Sequence, residues 1–287
     1  MGILEILKAA LFGIVEGVAE WLPVSSTGHM ILLNEIMPLK VSDEFYGLFE
    51  VVIQLGAIMA VLMIFWDKIW PFGQKSNRHP AAEDGILSWV KLDRIQLWLK
   101  VLVACVPAAV VGVLFDDVLD RLFYGPVCVA IMLILVGVAF IVVENLREGS
   151  KPAIRSLRRI DYKTAALIGV FQLIAAIFPG TSRSGATIIG ALLLGVSRKV
   201  AVEFTFILAI PVMFGASLLK IVKYGAVVTA PEFVLLGVGM LVAYIVSMLV
   251  IRALINYVKT HDFKVFGWYR IALGVVVLAY FLLSGRL

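Results

Sequence analysis

Eight apolar stretches run through this chain, and two of them are interrupted in the middle by proline, glycine and polar residues. That pattern restricts the fold more than any other feature. A helix that crosses a bilayer needs about 20 mostly apolar residues. Six runs reach that length, at about 46–66, 95–115, 124–144, 199–220, 232–254 and 266–284. Residues 3–36 and 163–195 do not. The first contains Glu16, Glu20, Pro23, the Ser25-Ser26-Thr27-Gly28 cluster and His29, and the second contains Gln172, Pro179 and Gly180-Thr181-Ser182-Arg183-Ser184-Gly185. Each reads as a short apolar helix, a polar turn and a second short helix. Broken backbone at membrane depth is tolerated only where protein or a water-filled cavity covers it. The expected fold is therefore all-α, a polytopic membrane protein with six transmembrane helices and two re-entrant helix pairs, ten helical segments in all.

Composition agrees. The chain is 62% hydrophobic and 16% charged, whereas a soluble domain is about half apolar and a quarter charged. The net charge of +5 is spread over short loops, so it is no nucleic-acid footprint. Cys105 and Cys128 lie within apolar runs without metal-ligand or disulfide spacing, and read as small core hydrophobes. Glu5, Glu16 and Glu20 interrupt the first apolar stretch, so it is expected to be retained rather than cleaved as a signal peptide.

The two interrupted segments align without a gap at an offset of 156, which sets Gly13 on Gly169, Glu16 on Gln172, Pro23 on Pro179, Ser25 on Thr181 and Ser26 on Ser182. Glu50 pairs loosely with Glu203. The chain then reads as a single membrane domain, 1–287, built from two copies, about 1–145 and 160–287. Each copy has three spans, an odd number, so the second is inverted relative to the first. Inverted repeats with broken helices place their site where the two interruptions meet.

Loop charge sets the orientation. Lys68, Lys75, Arg78, Lys91 and Arg94 follow the first span, and Arg147, Lys151, Arg155, Arg158, Arg159 and Lys163 follow the third. Arg198 and Lys199 precede the fourth, and Arg252, Lys259 and Lys264 follow the fifth. All four loops fall on one side, which the positive-inside rule makes cytoplasmic. The opposite side carries Lys40, Arg121, Lys220, Lys223 and Arg286.

Ionisable residues inside the membrane are functional candidates by default. Glu16 and Glu20 are i and i+4, on one helix face, where two carboxylates repel unless a cation or proton intervenes. Mg²⁺ or Ca²⁺, bound by carboxylates together with phosphate, suits them. Ser25, Ser26 and Thr27 sit where a new helix starts. Capping explains one hydroxyl there, but not three beside a histidine. Either Ser25 or Ser26 is spaced to reach His29, giving a hydroxyl nucleophile beside a base. In the second interruption Ser182, Ser184 and Thr187 offer hydroxyls, and Arg183 offers a planar fork suited to phosphate at a helix start. A phosphate cradle, a metal-binding carboxylate pair and a serine–histidine pair in one membrane protein point to cleavage of a phosphorylated lipid. A flippase for a lipid phosphate would need the same cradle, and a serine–histidine pair also serves acyl or phosphodiester hydrolysis.

The segments Glu16-Gly-Val-Ala-Glu20-Trp-Leu-Pro-Val-Ser-Ser-Thr-Gly-His29, Phe49-Glu-Val-Val-Ile-Gln-Leu-Gly-Ala57 and Pro179-Gly-Thr-Ser-Arg-Ser-Gly-Ala-Thr187 closely resemble signatures of the undecaprenyl pyrophosphate phosphatases associated with bacitracin resistance. The resemblance covers essentially the whole chain. It implies dephosphorylation of undecaprenyl diphosphate to the monophosphate, which recycles the lipid carrier of cell-wall synthesis at the outer face of the bacterial cytoplasmic membrane. It also implies Glu16 and Glu20, the pair spaced to hold a cation, as the essential acidic residues. Ser26 becomes the nucleophile with His29 as its partner. Ser182, Arg183, Ser184 and Thr187 become the phosphate-binding loop, with Ser25 and Thr27 beside the substrate. The partners implied are a polyprenyl diphosphate lipid, the bilayer and, as an option, a second copy in a homodimer.

The orientation is testable in intact cells. A cysteine placed near Lys40 is expected to react with an impermeant maleimide from outside, and one near Arg155 is not. The reverse pattern would move the first hairpin's entrance to the cytoplasm.

Overall fold

The computed structural model describes residues 2–73, 77, 79–82, 85–123, 125–225 and 228–284. Lys75, Arg78 and Arg286, and the side chain of Arg121, lie outside the described residues. Among the described residues there are ten α-helices: α1 (Ile3–Ala19), α2 (Ser26–Ile36), α3 (Asp43–Ile69), α4 (Leu92–Phe123), α5 (Pro126–Leu146), α6 (Tyr162–Ile177), α7 (Arg183–Leu193), α8 (Arg198–Tyr224), α9 (Ala230–Tyr257) and α10 (Lys264–Ser284). Extended pairing among them is confined to isolated bridges such as Phe72–Val90.

Six helices, α3, α4, α5, α8, α9 and α10, are long and apolar enough to cross a membrane. They coincide with the six expected runs. Helix α4 continues past the expected end at 115 to Phe123, through Pro107. Helix α5 starts at Pro126 rather than 124, because a proline at the first helical position lacks only an N–H that would be unpaired anyway. The remaining four helices have 17, 11, 16 and 11 residues, each short of a full crossing.

The surface is apolar in the way a lipid-facing bundle requires. On α4, Leu99, Leu102, Val106 and Val110 are exposed at spacings of three and four, and on α5 Ile131, Leu135, Val138 and Val142 repeat the pattern. Such stripes would be aggregation sites in water. In lipid they cost nothing, and helices must associate by close packing instead of by hiding apolar area. Gly137 and Gly267 show how: an added Cβ on either would lie 2.7 Å from the other's carbonyl oxygen, so α5 and α10 approach backbone to backbone. Helix α1 lies along α9, α6 along α4, and α3 against both α8 and α9.

The short helices pack inside this frame. Trp21, fully buried directly after α1, meets the ring of Phe206 on α8 edge-on at 5.0 Å. It pins the first interruption to the same helix that flanks the second.

Candidate active site

Both interruptions end in the same local device. Ser25 precedes α2 with φ 72°, and Ser182 precedes α7 with φ 70°; these are the non-glycine residues with positive φ among those described. The Ser25 Oγ accepts from the Gly28 amide at 3.4 Å, and the Ser182 Oγ accepts from the Gly185 amide at 3.2 Å. A non-glycine residue held in this region costs on the order of 1–3 kcal/mol, and such strain clusters at functional sites. The ungapped register had paired Ser25 with Thr181 and Ser26 with Ser182. In the structure the equivalent caps are Ser25 and Ser182, so Ser26 corresponds to Arg183. The cause is one extra residue between proline and cap in the second turn, where Gly180 has φ 89°.

The two turns touch. Arg183 Nη2 donates to Glu20 Oε1 at 2.9 Å, with both side chains largely buried, and its Nη1 donates to the Thr205 carbonyl at 3.0 Å. Ser184 Oγ donates to the Glu20 carbonyl at 3.2 Å. Ser26 Oγ donates to the other Glu20 oxygen, Oε2, at 2.7 Å. Glu20 thus joins a hydroxyl from the first turn to a guanidinium from the second. The buried polar atoms without a partner around this core include Glu16 Oε1 and Arg183 Nε. They are an acceptor and a donor with capacity to spare, as a ligand site requires.

The fit of a divalent cation can be judged from these donors. Glu16 offers a free buried carboxylate oxygen, and Glu20 and Glu50 are the carboxylates that act on it electrostatically. Both Glu20 oxygens already carry hydrogen bonds. No group of three His, Cys, Asp or Glu ligands forms among the described residues. An all-protein cage does not match this set. A hard cation held by one or two carboxylates and completed by phosphate oxygens does.

Histidine 29 departs from the expected serine–histidine pair. Its Nδ1 lies 2.7 Å from the Ser25 carbonyl oxygen and its Nε2 lies 2.7 Å from the Tyr269 hydroxyl, with the two rings stacked. A carbonyl can only accept, so Nδ1 carries the proton and Nε2 accepts from the phenol. The backbone carbonyl four residues back competed for the ring and won. His29 and Tyr269 line one side of an apolar cavity of about 400 Å³ whose other walls include Val15, Leu22, Val24 and Phe266. Thr187, expected to line the phosphate loop, is fully buried; its hydroxyl donates to the Arg183 carbonyl at 2.9 Å and accepts from Thr205 Oγ1 at 2.9 Å. Ser182 Oγ lies 3.1 Å from Ser184 Oγ, and Thr27 is half-buried on the first turn of α2.

A profile of the bacitracin resistance protein BacA family matches residues 9–276. The chain belongs to that family. Among its relatives are proteins named undecaprenyl-diphosphatase. The one from Desulfitobacterium hafniense is 56% identical over 281 residues, covering 98% of each chain. Undecaprenyl-diphosphatase 1 of Clostridium acetobutylicum is 55% identical over 280 residues, again 98% of each. A relative from Enterococcus faecalis is 55% identical over 275 residues, 96% of each.

Sequence reasoning overlooked Arg270. It is fully buried on α10, and its guanidinium donates to the carbonyls of Pro23 at 3.2 Å, Gly180 at 2.8 Å and Thr181 at 2.9 Å. One side chain therefore satisfies backbone from both turns. An arginine inside an otherwise apolar span was the available signal. Tyr269, its neighbour, carried none. Arg270→Met leaves these carbonyls buried without donors, each at about 1–3 kcal/mol, and is expected to lower the melting temperature in detergent strongly. Arg270→Lys keeps the charge but not the fork, so it should recover only part of the loss. An unchanged melting temperature for Arg270→Met would contradict the clamp.

Proposed function

We propose that this chain hydrolyses undecaprenyl diphosphate to undecaprenyl phosphate and inorganic phosphate at the contact between its two turns. The observation that carries this is the Ser26 hydroxyl bonded to a carboxylate whose other oxygen is held by Arg183. That geometry supports reading Ser26 as the nucleophile, Glu20 as its base and Arg183 as the phosphate-binding cation of one cluster. The names of the relatives support a phosphatase over a transporter using the same cradle.

In this reading Ser26 Oγ attacks the terminal phosphorus while its proton passes to Glu20 Oε2. The bond to the lipid monophosphate breaks, and the departing phosphate monoester takes that proton. Glu20 then accepts a proton from the water that opens the phosphoserine, returns it to Ser26 Oγ, and inorganic phosphate leaves. Arg183 directs its unpartnered Nε at the equatorial oxygens, since positioning and charge stabilisation dominate phosphoryl transfer. A divalent cation would be held by Glu16 and Glu20 and would neutralise phosphate charge. His29 and Tyr269, bonded to each other, line the adjoining apolar cavity, which the first isoprene units would enter. Ser25 and Ser182 hold the caps, and Ser184 and Thr187 brace the second turn. Thr27 borders the substrate.

The same reading takes the chain as an inverted repeat with two re-entrant pairs. Supporting it, α1 packs on α9 as α6 packs on α4, and α5 meets α10. Gly13 and Gly169 sit equivalently: an added Cβ would lie 2.5 Å from the Gly239 carbonyl on α9 and 2.4 Å from the Ala104 carbonyl on α4. Loop charge supports a site open to the outer face of the cytoplasmic membrane.

Purified protein in detergent is expected to release phosphate from undecaprenyl diphosphate. Ser26→Ala and Glu20→Gln should each lose on the order of 10³-fold or more. Excess chelator should stop turnover, and Mg²⁺ or Ca²⁺ should restore it. Ser26→Ala turning over near the parent rate would make water the nucleophile, and full activity in chelator would remove the metal. No release by the parent protein would favour transport.

A further inference from the structure

At the end of the bundle that carries the basic loops, a cavity of about 380 Å³ opens between α3, α4, α8 and the segment around 155–158. It shares no lining residue with the site at the two turns. Six cationic side chains line it, Lys68, Arg94, Lys100, Arg155, Arg158 and Lys199, against two carboxylates, Asp93 and Glu203. Each carboxylate is already shared between two of the cations. Glu203 Oε1 lies 2.9 Å from Lys68 and 3.9 Å from Lys199, and Asp93 Oδ2 lies 2.8 Å from Arg158 and 3.3 Å from Arg94. Of the other two cations, Lys100, 8% exposed, donates to the Arg158 carbonyl and feels the Asp161 carboxylate, and Arg155 Nε donates to the carbonyl of Pro152. Arg94 Nε is buried without a partner. The lining therefore holds a surplus of positive charge in a concave, partly desolvated space, which concentrates anions.

The depth of the cavity selects among anions. Lys68 falls between Trp66 and Trp70 in sequence and so shares their depth along α3; the two indoles stack at 4.4 Å and are 46% and 43% exposed. Trp89 and Phe72 are also exposed at this end. Exposed indoles on a membrane helix mark the headgroup level, and basic pockets between spans at that level hold lipid headgroups. We propose that this cavity binds the phosphate headgroup of an anionic phospholipid from the adjacent leaflet. Its phosphate oxygens would complete the bonding of Lys199, Arg155 and Arg94, while the acyl chains lie on the apolar faces of α3 and α4.

The full chain, purified in a mild detergent, is mixed with dioleoylphosphatidylglycerol, dioleoylphosphatidylcholine or inorganic phosphate. Retained lipid is read by native mass spectrometry and stability by melting temperature. Phosphatidylglycerol is expected to be retained as one bound molecule and to raise the melting temperature, with phosphatidylcholine about tenfold or more weaker. The double variant Lys199→Gln/Arg155→Gln should lose that preference while phosphate release from undecaprenyl diphosphate is kept. A control pair, Arg147→Gln/Lys259→Gln, removes equal charge from a neighbouring cavity and should leave retention intact. Equal retention of the two lipids by the parent protein would overturn the proposal whatever the variants do. Equal loss in both variant pairs would do the same, reducing the effect to general surface charge. A melting-temperature rise with inorganic phosphate and none with phosphatidylglycerol would make this a soluble-anion site and overturn the lipid assignment.

Discussion

A helix that stops inside an apolar medium leaves amides and carbonyls without water to bond, and each one left bare costs several kcal/mol. Under the proposed topology this chain stops two helices that way. The two turns answer by satisfying one another, and the Glu20–Arg183 ion pair is the link on which the rest depends. It joins residues 163 positions apart in sequence. Because the pair is buried, losing either member leaves an uncompensated charge at a cost of about 3–5 kcal/mol. The second Glu20 oxygen then fixes Ser26, and the Ser184 hydroxyl and Arg270 guanidinium bond carbonyls of both turns. In the proposed mechanism, structure and chemistry use the same atoms.

That economy explains which hydroxyls are free for chemistry. Ser25 and Ser182 spend their oxygens on helix caps, and Thr187 spends its own on the Arg183 carbonyl. Ser26 is the hydroxyl of the cluster that donates to a carboxylate. Under the proposed repeat, Ser26 and Arg183 occupy the same position, one residue past the cap, in opposite copies. In the proposed mechanism one copy would then supply the nucleophile and the other the cation, a division of labour that two inward-facing helix starts make geometrically simple.

Much of this was legible in the sequence because membranes write strong rules. The six spans follow from length and apolarity alone, and the two breaks follow from Pro23 and Pro179 beside polar clusters. Charge inside apolar stretches exposed Glu16, Glu20 and Arg183. What escaped was set by competition at short range or by distant packing. The i to i+4 spacing of Ser25 and His29 is the same for a hydroxyl–ring contact as for the carbonyl–ring contact that formed, so spacing could not choose. The one-residue shift between caps came from Gly180, which an ungapped alignment cannot see. Arg270 reaches the turns from α10 across the fold, and only its presence inside a span hinted at that.

The central claim is that Glu20 and Arg183 lock the two turns together. A double-mutant cycle on thermal stability tests it without relying on turnover. Melting temperatures of Glu20→Gln, Arg183→Gln and the double variant would be compared with the parent in one detergent. Each single change strands a buried charge, whereas the double change removes both. The double variant is expected to melt above either single variant. Losses that simply add would contradict it.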